Sequence, residues 1–400
     1  MNKFIIVLIF ISAASFFNPL DLVSPQISKF IYYASIIWGL FIIRRKPKSQ
    51  TIWYPKRAFC MIIVGFIGAL LMASSFQNQS FSVSLIAILP YFFAYLSFFV
   101  FMKLNIDETV VKKIILSFLI CSIIIYIVNY ITFPIMFFGD KDAADIDDSR
   151  GIIRIGVQYL DLFILAIFYS INQWLLYKKK KWLMIMVLCF IMIVLSVTRQ
   201  IITITTVLGT LFFLKKSNFY QKVVFIILVT FFTVYILPEI PIYKALIETT
   251  ENQIDNNENK REDVRIRAAR FYLDEYQTND FTRIFGNGIP SIGNSRWGNN
   301  FEMITRSEGF YSSDIGWIGF YWHFGLITVV GVLILLVRAV IIKKDPDHEY
   351  LTYYFLAIIL LSVMSAPILI YRQVLDIMLV LYMTFAFGRK NLPNRLKTIC

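Results

Sequence analysis

The sequence predicts an all-α membrane protein, a polytopic bundle of about twelve transmembrane helices with one large loop that itself contains helices. Of the 400 residues, 58% are apolar and 16% are charged, whereas a soluble domain carries roughly 25% charged residues. Apolar runs of about 15 to 23 residues, long enough to cross a bilayer, recur along the chain. The net charge of +13 comes from basic segments between these runs, which argues against nucleic acid as a partner.

Each predicted span is bounded by short polar or charged segments, and the seventh and eighth are short enough to cross the membrane obliquely. Lys3 precedes the first run, which we interpret as a retained span and not as a cleaved signal peptide. Apolar length and composition predict the spans 4–20, 27–43, 58–75, 82–102, 114–133, 157–176, 182–197, 200–214, 223–237, 315–337, 350–366 and 374–388.

The charges between the spans predict the orientation of the chain. With the N-terminus in the cytoplasm, runs such as 44–46, 178–181 and 215–216 place most Lys and Arg on the inner side. This asymmetry follows the positive-inside rule, so both termini are predicted to be cytoplasmic. The acidic loop 133–155 and the long polar loop 238–313 then lie outside. The long loop divides the chain into spans one to nine (1–237) and spans ten to twelve with the tail (314–400).

The cysteines predict neither a disulfide framework nor a metal site. Cys60, Cys121 and Cys189 lie in apolar runs, and Cys400 is the last residue. Four cysteines at such positions lack the spacing of a zinc site or of a secreted disulfide scaffold. No metal or other cofactor is therefore predicted.

The long loop contains a predicted amphipathic helix, 262–277, which lacks Gly and Pro. Arg265, Arg267 and Arg270 cluster in its first half, and guanidinium groups present paired donors to a phosphate dianion. The alternative interpretation is a solvated charged face balanced by nearby carboxylates. The residues of the predicted apolar face are Val264, Ala268, Phe271 and 273–276.

Two glycines follow this helix in the sequence Gly286-Asn287-Gly288. They predict a tight turn with positive φ that ends a helical hairpin. A Gly-x-Gly sequence is weak evidence for phosphate binding without a preceding strand. The next stretch, 291–309, is rich in Gly, Asn and Ser and is predicted to be irregular.

The loop is predicted to re-enter the membrane through residues 312–319. Asp314 has two interpretations here: a carboxylate in the first turn of a helix, where the positive helix end stabilises it, or a hydroxyl-orienting group or general base. Gly316 and Gly319 allow another backbone to approach closely. His323 is expected to be a hydrogen-bonded interior residue and not a catalytic partner.

Four charged residues lie within or beside the spans, and all are predicted near the outer face. Arg199 shares a helical face with Thr203 and Thr206. Its guanidinium either points to a cavity or an anionic partner, because a charge that faces lipid is costly, or extends into the outer headgroups. Asp161, a turn inside span six, also requires a partner. Arg372 and Asp376 are four residues apart, so they are predicted to pair along one helix face. The members of this set are Arg199, Asp161, Arg372 and Asp376.

Three segments resemble the Wzy / O-antigen ligase superfamily of bacterial surface-polysaccharide enzymes, over about residues 180–335. Residues 196–199, Ser-Val-Thr-Arg, are similar to the family's Ser-x-Ser-Arg at a helix junction. The arginine helix followed by 285–288 resembles its Arg…Gly-x-Gly external loop, and 314–326 resembles the loop-to-helix re-entry. Ligase-like members commonly have His-Asn where this chain has Ser313 and Asp314, which favours a polymerase.

The resemblance implies a GT-C-like, inverting, metal-independent glycosyltransferase of a Gram-negative inner membrane. The implied donor is an undecaprenyl diphosphate-linked oligosaccharide, and the acceptor is a sugar hydroxyl of another lipid-linked repeat. The implied partners besides membrane lipids are a chain-length regulator and a flippase. Asp314 would lie near the acceptor hydroxyl. By this resemblance, Arg199 and one of Arg265 or Arg267 would bind the diphosphate. The candidate catalytic residues are Asp314 and Arg199. The candidate diphosphate-binding residues are Arg199, Arg265, Arg267 and Arg270, and the supporting residues are Asp161, Arg372, Asp376, Gly286 and Gly288.

Three alternatives remain open at the level of sequence. An O-antigen ligase uses the same donor chemistry but transfers the glycan to lipid A-core. A lipid-linked oligosaccharide flippase or other transporter would show internal repeats and broken helices at the bilayer centre, whereas the charges here lie towards one face. A sensor or assembly scaffold would need neither the arginine cluster nor buried charges.

Overall fold

The computed structural model is a helical bundle. Its helices are α1 (Asn2–Ala14), α2 (Pro25–Phe41), α3 (Lys56–Phe76), α4 (Phe81–Leu104), α5 (Glu108–Thr132), α6 (Leu160–Tyr177), α7 (Lys180–Leu195), α8 (Arg199–Lys216), α9 (Val264–Arg270, continued by a π-helical stretch, Phe271–Glu275), α10 (Asp280–Phe285), α11 (Arg296–Glu308), α12 (Trp317–Ile341), α13 (Tyr350–Met364) and α14 (Tyr371–Ala386). The residues that the structure describes are 2–14, 24–41, 54–137, 144–147, 152–157, 159–196, 198–223, 263–276, 279–365 and 367–388.

Five of these helices, α3, α4, α5, α6 and α12, are long and apolar enough to cross a membrane. Their length and composition are consistent with the predicted helical membrane protein. Helices α1, α2, α7, α8, α13 and α14 coincide with six further predicted spans but are shorter or less apolar. The number of spans and the side on which the long loop lies therefore stay predictions. Residues 224–237 of the ninth predicted span, 238–262 of the loop and the tail after 388 lie outside the described residues.

Two hydrogen-bonded contacts between distant parts of the chain mark the two ends of the bundle. At one end the Tyr159 hydroxyl, beside the start of α6, donates to the Phe10 carbonyl near the end of α1, at 2.9 Å. At the other end His348 Nε2, before α13, lies 2.9 Å from Glu108 Oε1 at the start of α5. We name the first the loop end, because α9, α10 and α11 pack there, and the second the Pro346 end.

Small residues bring α3 and α12 into close contact. A Cβ atom at Gly65 would lie 1.9 Å from Thr328 Oγ1, and one at Gly331 would lie 2.9 Å from the Ala58 carbonyl oxygen. In a bilayer, helices associate through such close packing because lipid tails are as apolar as the side chains. This helix pair is the part of the bundle on which the long loop rests.

A short 3-10 turn, Pro346–His348, joins the helices at the Pro346 end. Asn172 of α6 donates from Nδ2 to two carbonyl oxygens of this turn, at 3.1 and 3.0 Å. Lys216 of α8 donates to Asn172 Oδ1 at 3.0 Å and pairs with Glu349 at 2.8 Å. Burial alone would raise the pKa of Glu349, but hydrogen bonds from Lys216 and Lys215 outweigh it and hold that pKa below its ordinary value.

A two-stranded hairpin lies within the predicted acidic loop 133–155. Strands β1 (Ala144–Asp147) and β2 (Ile152–Ile155) pair antiparallel, with Ala144 opposite Ile155. The buried Ile155 packs against the main core. The hairpin is a local addition to a helical fold.

The prediction that residues 291–309 are irregular is wrong, because they contain α11. Ser295 caps this helix by accepting a hydrogen bond from the Gly298 N–H at 2.9 Å, and Gly309 ends it at φ 71°. Trp297 and Phe301, four residues apart, are buried on one face. A serine N-cap, a terminal glycine and an apolar pair at helical spacing together outweigh the low helix propensity of Gly298 and its asparagine neighbours.

Candidate functional site

The predicted arginine helix, 262–277, is present as α9 and its π-helical continuation. Asp263 is the N-cap: its Oδ1 accepts a hydrogen bond from the Arg265 N–H at 2.7 Å. This bond satisfies one of the free N–H groups at the helix start. The acidic residue before the arginines therefore has a structural role.

Only a narrow stripe of α9 and its continuation faces inward. Ala268 and Tyr272, four residues apart, are buried at 1% and 0% exposure. Val264 and Leu273 were predicted to share the apolar face, but they are 45% and 37% exposed. The prediction is wrong for these two residues because this segment packs on the surface of the bundle through one stripe alone.

An aromatic cluster anchors the arginine helix at the loop end. Tyr272 donates from its hydroxyl to the Phe310 carbonyl at 2.8 Å, and its ring lies 5.0 Å from that of Trp322. The Trp322 ring also stacks on Phe301 at 5.4 Å and on Tyr276 at 5.5 Å. Burial raises the pKa of the Tyr272 phenol, which therefore stays a neutral donor. Because Trp322 belongs to α12, the cluster joins loop and bundle in one core.

Arg265, Arg267 and Arg270 are all exposed. With about 100° between successive residues, Arg267 and Arg270 are neighbours on one face, whereas Arg265 points well away from both. The Arg267 guanidinium lies over the Phe310 ring, 5.4 Å from its centroid, a contact that fixes the side chain without using its donors. The predicted set of three therefore separates into an adjacent pair, Arg267 and Arg270, and one outlying residue.

The predicted turn at Gly286, Asn287 and Gly288 docks into the membrane bundle. The N–H groups of Asn287 and Gly288 donate to the carbonyl oxygens of Trp322 and His323, each at 2.9 Å. The Gly286 N–H closes α10 by donating to a carbonyl of that helix at 2.7 Å. All three turn N–H groups are thus engaged by backbone oxygens, so the glycines position the loop and do not form a phosphate cradle.

Both glycines of the turn have the predicted positive φ, 87° at Gly286 and 84° at Gly288. A Cβ atom at Gly286 would lie 2.3 Å from the His323 carbonyl oxygen, and one at Gly288 would lie 2.8 Å from that of Ala69. Backbone lies on the other side of each contact, so no side-chain movement could make room. Glycine is required at both positions.

His323 is a hydrogen-bonded interior residue, as predicted. Its Nδ1 lies 2.9 Å from the Gly288 carbonyl oxygen and its Nε2 lies 3.0 Å from Ser312 Oγ. Because a carbonyl oxygen only accepts, the neutral ring donates from Nδ1 and accepts from the Ser312 hydroxyl. His323 thereby joins the glycine turn to the re-entry turn, next to a break in α12 at Gly325 (φ 73°).

Asp314 lies on a separate 3-10 turn, Ser312–Ile315, and not in the first turn of α12, which begins at Trp317 after a break at Gly316. The helix-cap interpretation of Asp314 is therefore wrong for α12. Its side chain is exposed, and Oδ1 lies 3.3 Å from Ser313 Oγ. The turn contacts α9. Asp314 is thus a solvent-facing carboxylate on a turn held against the arginine helix.

The close approaches predicted for the re-entry glycines are present. A Cβ atom at Gly316 would lie 2.3 Å from the Ser362 carbonyl oxygen of α13, and one at Gly319 would lie 1.9 Å from that of Ser312. The first contact packs the turn against α13. The second folds the turn back onto the start of α12.

Arg199 begins α8 at the loop end, and its side chain is half-buried. Gly209 of α8 packs on Ile171 of α6, each about ten residues into its helix, so Arg199 and Asp161 lie at the same level. Thr203 and Thr206 are exposed. The helix face that continues from Arg199 therefore points away from the described part of the bundle.

Asp161 and Asp376 lie in the interior at the loop end, each 1% exposed. They begin the parallel helices α6 and α14, which are in contact, and their carboxylates interact electrostatically. Among the described residues no ion pair joins Asp376 to Arg372, so the predicted pairing is wrong. The Arg372 guanidinium lies instead over the ring of Tyr371, 5.7 Å from the centroid, with Nε 3.3 Å from the hydroxyl.

The sequence-predicted residues thus fall into two groups at the loop end. The first is a surface group, in which the arginine helix packs against the turn that carries Asp314. The second is the interior pair Asp161 and Asp376. Helix α13 contacts both α8, which begins with Arg199, and the Ser312–Ile315 turn, which carries Asp314.

Gln79 is an important positioning residue that the sequence interpretation missed. This fully buried side chain donates from Nε2 to the Ile289 carbonyl at 3.0 Å. Its Oε1 accepts from the Ser291 N–H at 2.9 Å and from the Ser295 hydroxyl at 2.8 Å. It therefore anchors the loop between the glycine turn and α11. The sequence offers one sign of this role, a polar side chain in the short segment between two predicted spans.

No family model matches the chain. No curated protein is similar to it at a significant level either. In the part of the chain that the structure describes, no group of three or more His, Cys, Asp or Glu side chains could hold a metal ion.

Proposed function

We propose that the protein is a surface-polysaccharide polymerase that transfers a glycan from a polyprenyl diphosphate to a sugar hydroxyl of another lipid-linked repeat unit. The observation that carries this proposal is the exposed pair Arg267 and Arg270, on a helix that is anchored in the bundle and packs against the turn of Asp314. The motif resemblance to the Wzy / O-antigen ligase superfamily supports the same chemistry.

The arginine pair suits the leaving group of this reaction. Two guanidinium groups on adjacent turns of one helix can each offer two parallel N–H donors to the oxygens of a diphosphate. Negative charge grows on that diphosphate as its bond to the sugar breaks, so fixed positive groups stabilise the transition state more than the ground state. The contact of Arg267 with the Phe310 ring reduces the reorganisation needed to bind the anion.

The reaction balances without an additional co-reactant. The oxygen of the acceptor hydroxyl forms a bond to the anomeric carbon, and the bond from that carbon to the diphosphate oxygen breaks with its electron pair on the leaving group. The hydroxyl proton passes to a base, for which the exposed Asp314 carboxylate is the candidate in the surface group. One displacement at the anomeric carbon inverts its configuration.

Arg199 belongs to the proposal as a second contact to the anionic donor. It lies at the loop end, half-buried at the start of a helix. A lipid-linked donor enters from the bilayer, so its diphosphate lies at the membrane interface. In this proposal the Arg267 and Arg270 pair holds the diphosphate, and Arg199 adds positive charge where the lipid emerges.

A ligase is the nearest alternative because it differs only in acceptor. Both ring nitrogens of His323 are hydrogen-bonded, one to Gly288 and one to Ser312. This histidine is therefore a poor candidate for a catalytic base. A flippase is the more distant alternative. Deletion of the gene distinguishes the three functions. A surface glycan reduced to a single repeat supports the polymerase, and accumulation of unattached lipid-linked polymer supports the ligase. Repeats trapped on the cytoplasmic side support the flippase.

The site assignment is tested by the double variant Arg267→Ala, Arg270→Ala in the deletion strain. We expect loss of the glycan ladder on gels while the protein remains in the membrane, because the charge that stabilises the leaving group is gone. Arg306→Ala is the matched control: it is an exposed arginine of the same loop that pairs with Glu302 at 2.6 Å. A full ladder in the double variant would show that the pair does not serve the reaction.

A further inference from the structure

Two carboxylates are buried on contacting helices of the bundle, and no ion pair joins either of them to a basic residue that the structure describes. Asp161 Oδ2 on α6 and Asp376 Oδ1 on α14 are buried and accept no hydrogen bond. The two groups interact electrostatically. Two negative charges in a membrane interior, where the dielectric constant is low, are strongly unfavourable unless positive charge accompanies them.

Two further unpartnered oxygens belong to the same place. The Tyr354 hydroxyl, on α13, is fully buried without a hydrogen-bond partner and interacts electrostatically with both Asp161 and Asp376. Gln373 Oε1 is also buried and unpartnered, and Gln373 lies three residues before Asp376, on the same face of α14. The two carboxylates and the Tyr354 hydroxyl thus bring oxygens from three helices together, and Gln373 adds an unpartnered oxygen on the helix face of Asp376.

No ion pair joins either carboxylate to a basic side chain of the described residues. Arg372 is a nearby cation: both it and Asp376 act electrostatically on Tyr159, and its guanidinium rests on the ring of Tyr371. Among the described residues, Tyr354 and Cys121 are further titratable groups that act with the pair or on Tyr159, and neither is a cation at neutral pH.

We propose that Asp161 and Asp376, with Tyr354 and Gln373, form a binding site for one monovalent cation, either Na⁺ or a proton. Carboxylate, phenol and amide oxygens are ligands that hard cations prefer. One bound positive charge offsets the repulsion between the two buried carboxylates. The site is separate from the surface arginine pair, so it does not rest on the proposed glycosyl transfer.

Thermal unfolding of the full-length protein in detergent distinguishes Na⁺ from a proton as the bound cation. In the sodium arm, NaCl replaces choline chloride at constant ionic strength and pH. Binding of Na⁺ to the folded state raises the unfolding midpoint by roughly 2 °C for each tenfold increase above the dissociation constant. In the proton arm, sodium is absent and pH is varied. A proton bound only in the folded state makes the midpoint fall as pH rises.

The variants Asp161→Asn and Asp376→Asn remove the charges with little change of shape. We expect each of these variants to abolish the response of the unfolding midpoint to sodium or to pH that the wild type shows. The control is Asp280→Asn, at a loop carboxylate with 91% side-chain exposure, which should leave that response unchanged. A wild type that responds to neither sodium nor pH, or Asn variants that respond as the wild type does, would overturn the proposal.

Tyr354→Phe provides a second test if the Asn variants do not fold. It keeps both carboxyls and removes one oxygen of the site, so a weakened sodium or pH response is expected. An unchanged response would count against the oxygen site. Infrared spectroscopy of the wild type in choline detects the C=O stretch of a protonated carboxyl and so identifies the proton-bound form directly.

Discussion

Replacement of Gly286 by alanine should detach the long loop from the membrane bundle. The new Cβ atom would lie 2.3 Å from the His323 carbonyl oxygen and 2.6 Å from the Gly325 nitrogen. Both are backbone atoms of α12, so either this helix or the loop must move. The movement would break the hydrogen bonds that Asn287 and Gly288 donate to α12.

The destabilisation has three parts. An alanine at the φ of 87° costs about 1–2 kcal/mol. Relief of the overlap costs about 1–3 kcal/mol, and each of the two lost hydrogen bonds about 0.5–1.5 kcal/mol. The total is roughly 3–8 kcal/mol, which corresponds to a fall of roughly 4–10 °C in the unfolding midpoint for a chain of this size.

Gly293→Ala is the matched control, because Gly293 also has a positive φ of 77° but no atom within 4 Å of the position that the new methyl group would occupy. It should lose only the backbone contribution, which lowers the midpoint by roughly 1–2 °C. The assay is thermal unfolding in detergent followed by tryptophan fluorescence, since Trp322 and Trp297 lie in the aromatic cluster beside the turn. Equal midpoints for the two variants would refute the docking argument.

Three further measurements test other parts of the structure. Asp314→Asn should lower the transfer rate by about 10²–10⁴ if the carboxylate is the general base; unchanged polymer in the deletion strain would exclude that role. Glu349→Gln should make the free energy of unfolding less dependent on pH below about pH 4.5. The folded-state pKa of Glu349 is lowered, so its contribution to stability is present above the unfolded pKa and is lost as pH falls through the folded pKa. Ser295→Ala should cost about 1 kcal/mol, measured against Ser307→Ala within the same helix.

Hydrophobic length and glycine chemistry were enough to predict much of the fold. The apolar runs identified the long helices, since a spanning helix needs little beyond length and composition. The sequence Gly286-Asn287-Gly288 predicted positive φ because few other residues adopt it. The interior role of His323 was also predictable, as an imidazole in an apolar span needs hydrogen-bond partners. Each of these predictions depends on a local property of the chain.

The errors concern features that depend on tertiary neighbours. Helical spacing allowed Arg372 and Asp376 to pair, but Tyr371 offers the guanidinium an aromatic face, and Asp376 is buried within electrostatic range of Asp161 on another helix. Composition predicted an irregular segment at 291–309, where caps at both ends and burial of Trp297 stabilise α11. Neither the competing aromatic ring nor the burial surface is visible in local sequence.

The break in α12 explains why the long loop is part of the membrane bundle and not an appendage. A non-helical residue at Gly325 interrupts the hydrogen bonding of the helix, and carbonyl oxygens freed in a membrane-embedded core are costly unless another donor reaches them. The glycine turn supplies those donors to Trp322 and His323, so the broken helix and the turn each require the other. This mutual requirement fixes α9 relative to the bundle. The proposed binding of a lipid diphosphate by Arg267 and Arg270 requires that rigidity, because catalytic groups act only when held close to their productive geometry.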